Sequence, residues 1–211
     1  MQKIIIEMIN KIAETIKENK DYLTDLDRAI GDGDHGVNLN RGFTKLKEES
    51  EKYVELSNNE IITKIAMTLI SNVGGASGAL YGTAFMKMGI FMKGKENISK
   101  EDIPEIINIG IEGIKMRGKS DIEEKTMLDT LVPFCNYLKE NINKEIKIGL
   151  LFSEALEKAK SGRDSTIEMI AKKGRASYLK ERSIGHLDPG AASSYMILET
   201  ITEVLRGNGI W

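Results

Sequence analysis

The chain has 211 residues, 41% hydrophobic and 29% charged, the composition of a soluble globular protein long enough to bury a substantial core. Its 30 Lys and Arg against 32 Asp and Glu give a net charge of −2, so no basic field favours nucleic acid or an anionic membrane. The single cysteine, Cys135, excludes an intrachain disulfide and sits in an apolar context that predicts a buried structural thiol.

Helical periodicity dominates in chain order. Ile5, Met8, Ile9, Ile12 and Ile16 mark one face of a first helix. A short second helix is predicted from about Asp21 to Ala29, stopping at Gly31. Val37 to Tyr53 reads as a charged amphipathic helix. Ile61, Ile62, Ile65 and Leu69 mark another from Asn59 to Ser71, which halts at Gly74-Gly75. Ala76 to Met92 is a helix of small residues and methionines. Ser99 to Asp102 is a helix start, with Pro104 tolerable in the first turn. Within it, Ile106 to Ile111 is the one run that also fits a strand. Further helices are predicted over Leu128–Leu138, Ile148–Ala159 and Thr166–Lys173. Asp188-Pro189 supplies an N-cap and first-turn proline for a last helix ending near Arg206. These add up to about eight to ten helices with no linker or repeat, predicting one all-α domain over residues 1–211. No apolar run approaches the ~18 residues of a membrane span. The N-terminus lacks a signal-peptide core, so a cytoplasmic protein with no membrane partner is expected.

The glycines cluster between helices, at Gly31–Gly36, Gly74–Gly78, Arg117–Lys119 and Gly174–Gly190. Alternate loops of an antiparallel bundle fall at one end, so these loops predict a ligand-binding mouth there. Two motif matches lack the context their chemistry needs. Gly31 to Gly36 spells G-x-G-x-x-G, but a helix rather than a strand precedes it. Gly113 to Ser120 spells the phosphate-loop pattern G-x-x-x-x-G-K-S, yet Gly113 falls inside a helical period. An EF-hand starting at Asp32 would need Glu where Phe43 stands.

The first loop carries the strongest chemistry. Asp32 and Asp34 alternate along it, and Asp27 at the preceding helix end reaches the same point. Three hard oxygen donors suit Mg²⁺, whereas an Asp- and Gly-rich surface turn explains the same composition without a ligand. Ser77, near a helix N-terminus, offers a hydroxyl and amides to an anion. Arg175, in a glycine-flanked loop, can hold phosphate through two donors, or simply be solvated.

Taken in order, the blocks Leu26–Phe43, Val73–Thr83, Arg117–Lys119, Lys125–Asp129 and Lys173–Ala191 resemble the L-subunit family of dihydroxyacetone kinases. This is the nucleotide-binding subunit of bacteria that use the phosphotransferase system. The resemblance covers nearly the whole chain and implies an antiparallel eight-helix barrel with the nucleotide site in the loops at one end. It implies two Mg²⁺ ions held by Asp27, Asp32 and Asp34, and a tightly bound ADP. The implied nucleotide contacts are His35, Gly36, Val37, Asn38, Ala76, Ser77, Gly118, Met127, Arg175, Asp188, Pro189 and Gly190, with Arg175 also stabilising phosphate charge. The implied partners are an M subunit that rephosphorylates bound ADP and a K subunit that holds dihydroxyacetone. The alternatives are a direct ATP-dependent kinase subunit for a related hydroxylated substrate, and a non-catalytic ADP-binding regulatory module.

Overall fold

The computed structural model describes residues 2–95 and 97–209; Met1, Glu96, Ile210 and Trp211 lie outside the description, and with them the end of the C-terminal tail. The regular elements among these residues are all helical. They are α1 (Gln2–Glu18), α2 (Lys20–Ile30), α3 (His35–Glu49), α4 (Asn58–Asn72), α5 (Gly75–Met92), α6 (Asp102–Gly118), α7 (Leu128–Asn141), α8 (Ile148–Ser165) and α9 (Pro189–Gly207). Short 3₁₀ segments follow α3 at Ser50–Tyr53 and precede α9 at Arg175–Ser183.

Eight of the nine helices close into a ring. α1 packs on α3, each helix from α3 onward packs on its successor, and α9 returns to α1. Side-chain pairs set the direction of neighbours. Thr15 meets Thr200 at 3.0 Å while Asn208 donates to Glu7 at 3.0 Å, so α1 and α9 run antiparallel. Tyr137 donates to Glu154 at 2.9 Å, and Gly162 lies against the Asp129 backbone, so α7 and α8 do too. The ninth helix, α2, is no stave of this ring; it packs on α3 and α9 at the mouth. The expected eight-helix barrel is therefore present, with one additional helix that carries Asp27.

Each stave turns its apolar stripe inward, because burial of a Leu or Ile side chain contributes about 1.5–3 kcal/mol. Ile16, Leu23, Leu39, Leu46, Ile61, Leu69 and Leu128 fill the main core. A second cluster joins α7, α8 and α9, where Phe134 and Phe152 meet edge to face at 5.4 Å. Cys135 is buried, as its context predicts, and burial pushes its thiol up to about 11. No described helix is long and apolar enough to cross a membrane.

Two local expectations need correction. Ile106–Ile111 lies wholly within α6, as its helical period allows and its strand reading does not. Thr166–Lys173 is not a helix; α8 continues to Ser165 and the chain then turns irregularly. Its backbone groups are claimed by distant partners. The Lys172 N–H donates to the Glu124 carbonyl at 3.1 Å and the Ala171 N–H to Ser183 Oγ at 2.9 Å.

The antiparallel ring puts four connections at one end: residues 31–34, 73–74, 119–127 and 166–188. All four line one cavity or adjoin it.

Candidate functional site

The acidic loop is shaped by its glycines. A Cβ at Gly31 would lie 2.1 Å from Asp27 Oδ1, so only glycine lets the chain turn this close to that carboxylate. Gly33 has φ +72, in the left-handed region. Asp27 is 9% exposed, and its Oδ2 accepts the backbone N–H of Asp34 at 2.9 Å and of His35 at 3.1 Å. These amides open α3, so Asp27 sits at the positive end of a helix dipole. Its other oxygen is left to face the loop. One oxygen from each of Asp27, Asp32 and Asp34 falls within 4.8 Å of the others. That is the donor set of a hard divalent cation, and the residues fit one. The counter-charge the chain itself supplies is Arg175, whose guanidinium meets Asp32 at 2.8 Å.

His35 is the root of a buried polar chain. Burial lowers its pKa, against the opposing pull of Asp27 and Asp34, so the ring is neutral near pH 7. Its Nδ1 lies 3.0 Å from Ser77 Oγ and its Nε2 lies 2.9 Å from Ser193 Oγ. Ser193 Oγ also donates to the Gly190 carbonyl at 3.1 Å and lies 3.0 Å from the Tyr81 hydroxyl. Tyr81 reaches Ser194 at 2.8 Å, and burial pushes its pKa up to about 12. The chain braces α3, α5 and α9 against one another and aims Ser77 at the mouth.

The mouth opens into a cavity of about 590 Å³. Asp27, Asp32, Asp34, His35, Ala76, Ser77, Gly118, Met127, Arg175, Asp188, Pro189 and Gly190 all line it. Gly36, Val37 and Asn38 do not. Gly36 and Val37 turn away from the His35 face by ~100° per residue; Asn38, nearly one full turn on, keeps that face, but its amide is already taken up. A Cβ at Gly36 would lie 2.0 Å from the Lys20 carbonyl, which makes this glycine the contact that lets α2 press onto α3. Val37 is exposed. Asn38 accepts from Arg41 at 3.0 Å and buttresses the Gly74-Gly75 turn.

Other lining residues carry no signal in the helical periodicity. Leu80 and Ile114 form an apolar wall, Leu80 3.3 Å from the Gly118 Cβ position, and the expected Met127 joins the lining 3.5 Å from the Gly190 Cβ position. Arg117, Lys173, Thr126 and Lys125 add polar groups. Lys125 belongs to a block already marked by resemblance, but nothing in its composition announces burial. Behind the mouth, the Asp188 carboxylate caps α9 by accepting the Ala191 N–H at 2.7 Å. Burial nevertheless pushes its pKa up to about 7, outweighing that bond and the nearby Lys125. Burial also raises Asp129, whose carboxylate accepts the N–H groups of Thr126 and Glu123 at 2.8 and 2.5 Å. The phosphate-loop spelling has no structural counterpart, because Gly113 through Gly118 lies within α6.

The DAK2 domain description matches residues 29–203. Over 204 residues the chain is 46% identical to the ADP-binding subunit DhaL of a PTS-dependent dihydroxyacetone kinase from Lactococcus lactis, covering 95% of this chain and 96% of that one. It is 38% identical over 197 residues to the ADP-binding subunit DhaL of the PEP-dependent dihydroxyacetone kinase of Escherichia coli, covering 93% and 94%. The dihydroxyacetone kinase of C. freundii, solved in complex with AMP-PNP and Mg²⁺, superposes with a TM-score of 0.74 at 22% identity. That match covers 95% of this chain and 34% of that one, and at such identity it speaks for the fold.

Proposed function

The chain belongs to the DAK2 domain family, and from that premise we propose that it is the ADP-binding subunit of a phosphotransferase-system-dependent dihydroxyacetone kinase. In this reading ADP stays bound with two Mg²⁺ ions, a partner M subunit rephosphorylates it, and the γ-phosphoryl passes to dihydroxyacetone on a K subunit. The observation that carries the reading is the acidic triad facing Arg175 across the mouth of a cavity with an apolar wall. One side suits phosphates with their cations, the other a flat base.

Phosphoryl transfer needs alignment and charge neutralisation more than covalent help from the protein. Bound divalent cations would offset the charge that develops on the phosphoryl oxygens. Asp27, Asp32 and Asp34 would hold them, with Asp27 kept in place by the α3 amides. Arg175 donates to phosphate once the guanidinium gives up Asp32. Ser77, held by the neutral His35, orients the phosphate chain without adding charge. Leu80, Ile114 and Met127 enclose the base. Among the described lining residues His35 is the one imidazole, and both its ring nitrogens are already engaged. This fits a base for the substrate hydroxyl supplied by the K subunit.

Calorimetry with ADP tests this reading. Binding in Mg²⁺ that disappears in EDTA is expected, and ADP should stay with the protein through gel filtration. Free exchange with ATP would favour the direct ATP-dependent subunit instead. Absence of dihydroxyacetone phosphate when K and M partners are supplied would favour a regulatory module.

A further inference from the structure

The connection that carries Arg175, residues 166–188, is the longest at the mouth, and its two feet come back together. The Gly185 N–H donates to the Ile167 carbonyl at 2.8 Å, and the Asp188 N–H to Thr166 Oγ1 at 3.2 Å. One side chain from another connection reaches into this neck. Lys125 is 1% exposed, and its ammonium donates to the carbonyls of Thr166, of His186 at 2.5 Å and of Ile167 at 3.5 Å. An ammonium has three donors and no acceptor, so three carbonyls drawn from both feet saturate it. Asp188 and Glu168 face it with opposite charge. Its backbone sits at φ 59, a conformation a lysine keeps where its surroundings over-determine it. The neighbouring Glu124 adds two ties to the same crossover: its carbonyl accepts from the Lys172 N–H, and its carboxylate lies 3.7 Å from the Lys173 ammonium.

Arg175 has no comparable anchor. Its side chain is 69% exposed, and Asp32 is its one ion partner among the described residues. Where the guanidinium hangs is therefore set by the backbone beneath it, which is held at the neck and, through Ala176, by packing with Ile30 and Ala171. We infer that Lys125 is a positioning residue: by drawing both feet of the 166–188 crossover onto the 119–127 loop, it holds Arg175 across the mouth from the acidic loop. This rests on the reading of Arg175 as the phosphate-facing cation. The geometry explains why a fully buried charge is kept here. A neutral side chain would leave three carbonyls without their donor, and desolvated acceptors without partners are costly.

The test has two arms. In the ligand-free protein, Lys125→Met should speed amide exchange across residues 168–187 by at least about tenfold while α1 to α7 keep wild-type rates, since local openings report local stability. ADP affinity in Mg²⁺ is then measured for wild type, Lys125→Met, Arg175→Ala and the double variant. Each single change should weaken binding about tenfold, and Lys125→Met should add less than about twofold once Arg175 is gone, because residues acting through one another are not additive. Fully additive losses, or wild-type exchange in the crossover, would overturn the inference. A lysine that merely supports the fold predicts additivity. Should Lys125→Met fail to fold, Thr166→Val loosens the same neck by removing the hydroxyl that accepts the Asp188 N–H. It should show the same non-additivity with Arg175→Ala on a smaller loss. If wild type binds no ADP, the functional reading fails, while the exchange arm still decides the role of Lys125 at the neck.

Discussion

At the end of the ring away from the cavity, local caps close the connections, beside ties such as Gln2 to the Leu56 carbonyl at 3.1 Å. The Ser57 N–H donates to Glu60 at 2.9 Å in a capping box at the start of α4. Lys95 reaches Asp102 at 2.6 Å, and the Ser99 N–H donates to the same carboxylate at 2.9 Å. At the cavity end local caps are joined by long-range bonds to a buried charge, and the backbone is strained. All four described non-glycine residues with positive φ lie there: Lys119 at 48, Glu123 at 62, Lys125 at 59 and Lys180 at 53. Both ends cap the same staves over the same core. The contrast shows that strain and buried charge are not general properties of this ring; they collect where a ligand would be held.

The acidic loop is where the two ends differ most in function. Asp32→Asn with Asp34→Asn should weaken ADP binding in Mg²⁺ by at least about a hundredfold, roughly 3 kcal/mol, with little change in melting. Unchanged affinity by calorimetry would remove the cation from the site. Gly36→Ala tests whether the two ends differ in tolerance as well as in chemistry. A Cβ there meets the Lys20 carbonyl, so overpacking should cost about 1–3 kcal/mol in urea unfolding and shift the helix that carries Asp27. ADP affinity should fall with it; a variant as stable as wild type would contradict the close packing of α2.

At the far end, Ser57→Ala should cost about 1 kcal/mol of stability and leave ADP affinity untouched. A loss of affinity would show that the two ends communicate. The smallest effect is expected at Lys119, which caps α6 in the left-handed region at φ 48, ψ 47. Lys119→Gly should stabilise by up to about 1 kcal/mol by relieving that conformation. Binding should stay within about twofold, since a side chain with no place in the lining contributes little to affinity. A phosphate-loop lysine at this position would make the same change abolish binding.

Much of the fold is legible in periodicity. The stripe from Ile5 to Ile16 became α1, and Ile61 to Leu69 the inner face of α4. Asp188-Pro189 reads as a helix start and caps α9 as such. These features depend on neighbours three or four residues away, which a sequence displays directly. Thr166–Lys173 misled because its apolar residues mimic a helical stripe while its backbone partners, Glu124 and Ser183, lie elsewhere in the chain. Gly36 and Asn38, nucleotide contacts only by resemblance, lie outside the cavity lining, Gly36 against the Lys20 carbonyl of α2 and Asn38 against the Gly74-Gly75 turn.

By itself the sequence determined an all-helical chain, the loops that punctuate it, and the carboxylates and arginine placed in them, because spacing and residue chemistry are local quantities. The resemblance of those loops pointed to the family. The tertiary structure alone decided that α2 stands outside the ring of eight and packs on α3 and α9 at its mouth. It also decided that His35 is neutral and doubly bonded, and that Lys125, a charge one would leave in water, is buried among three carbonyls. Burial and long-range hydrogen bonds are set by which distant segments the packed core brings together, and no local pattern encodes that.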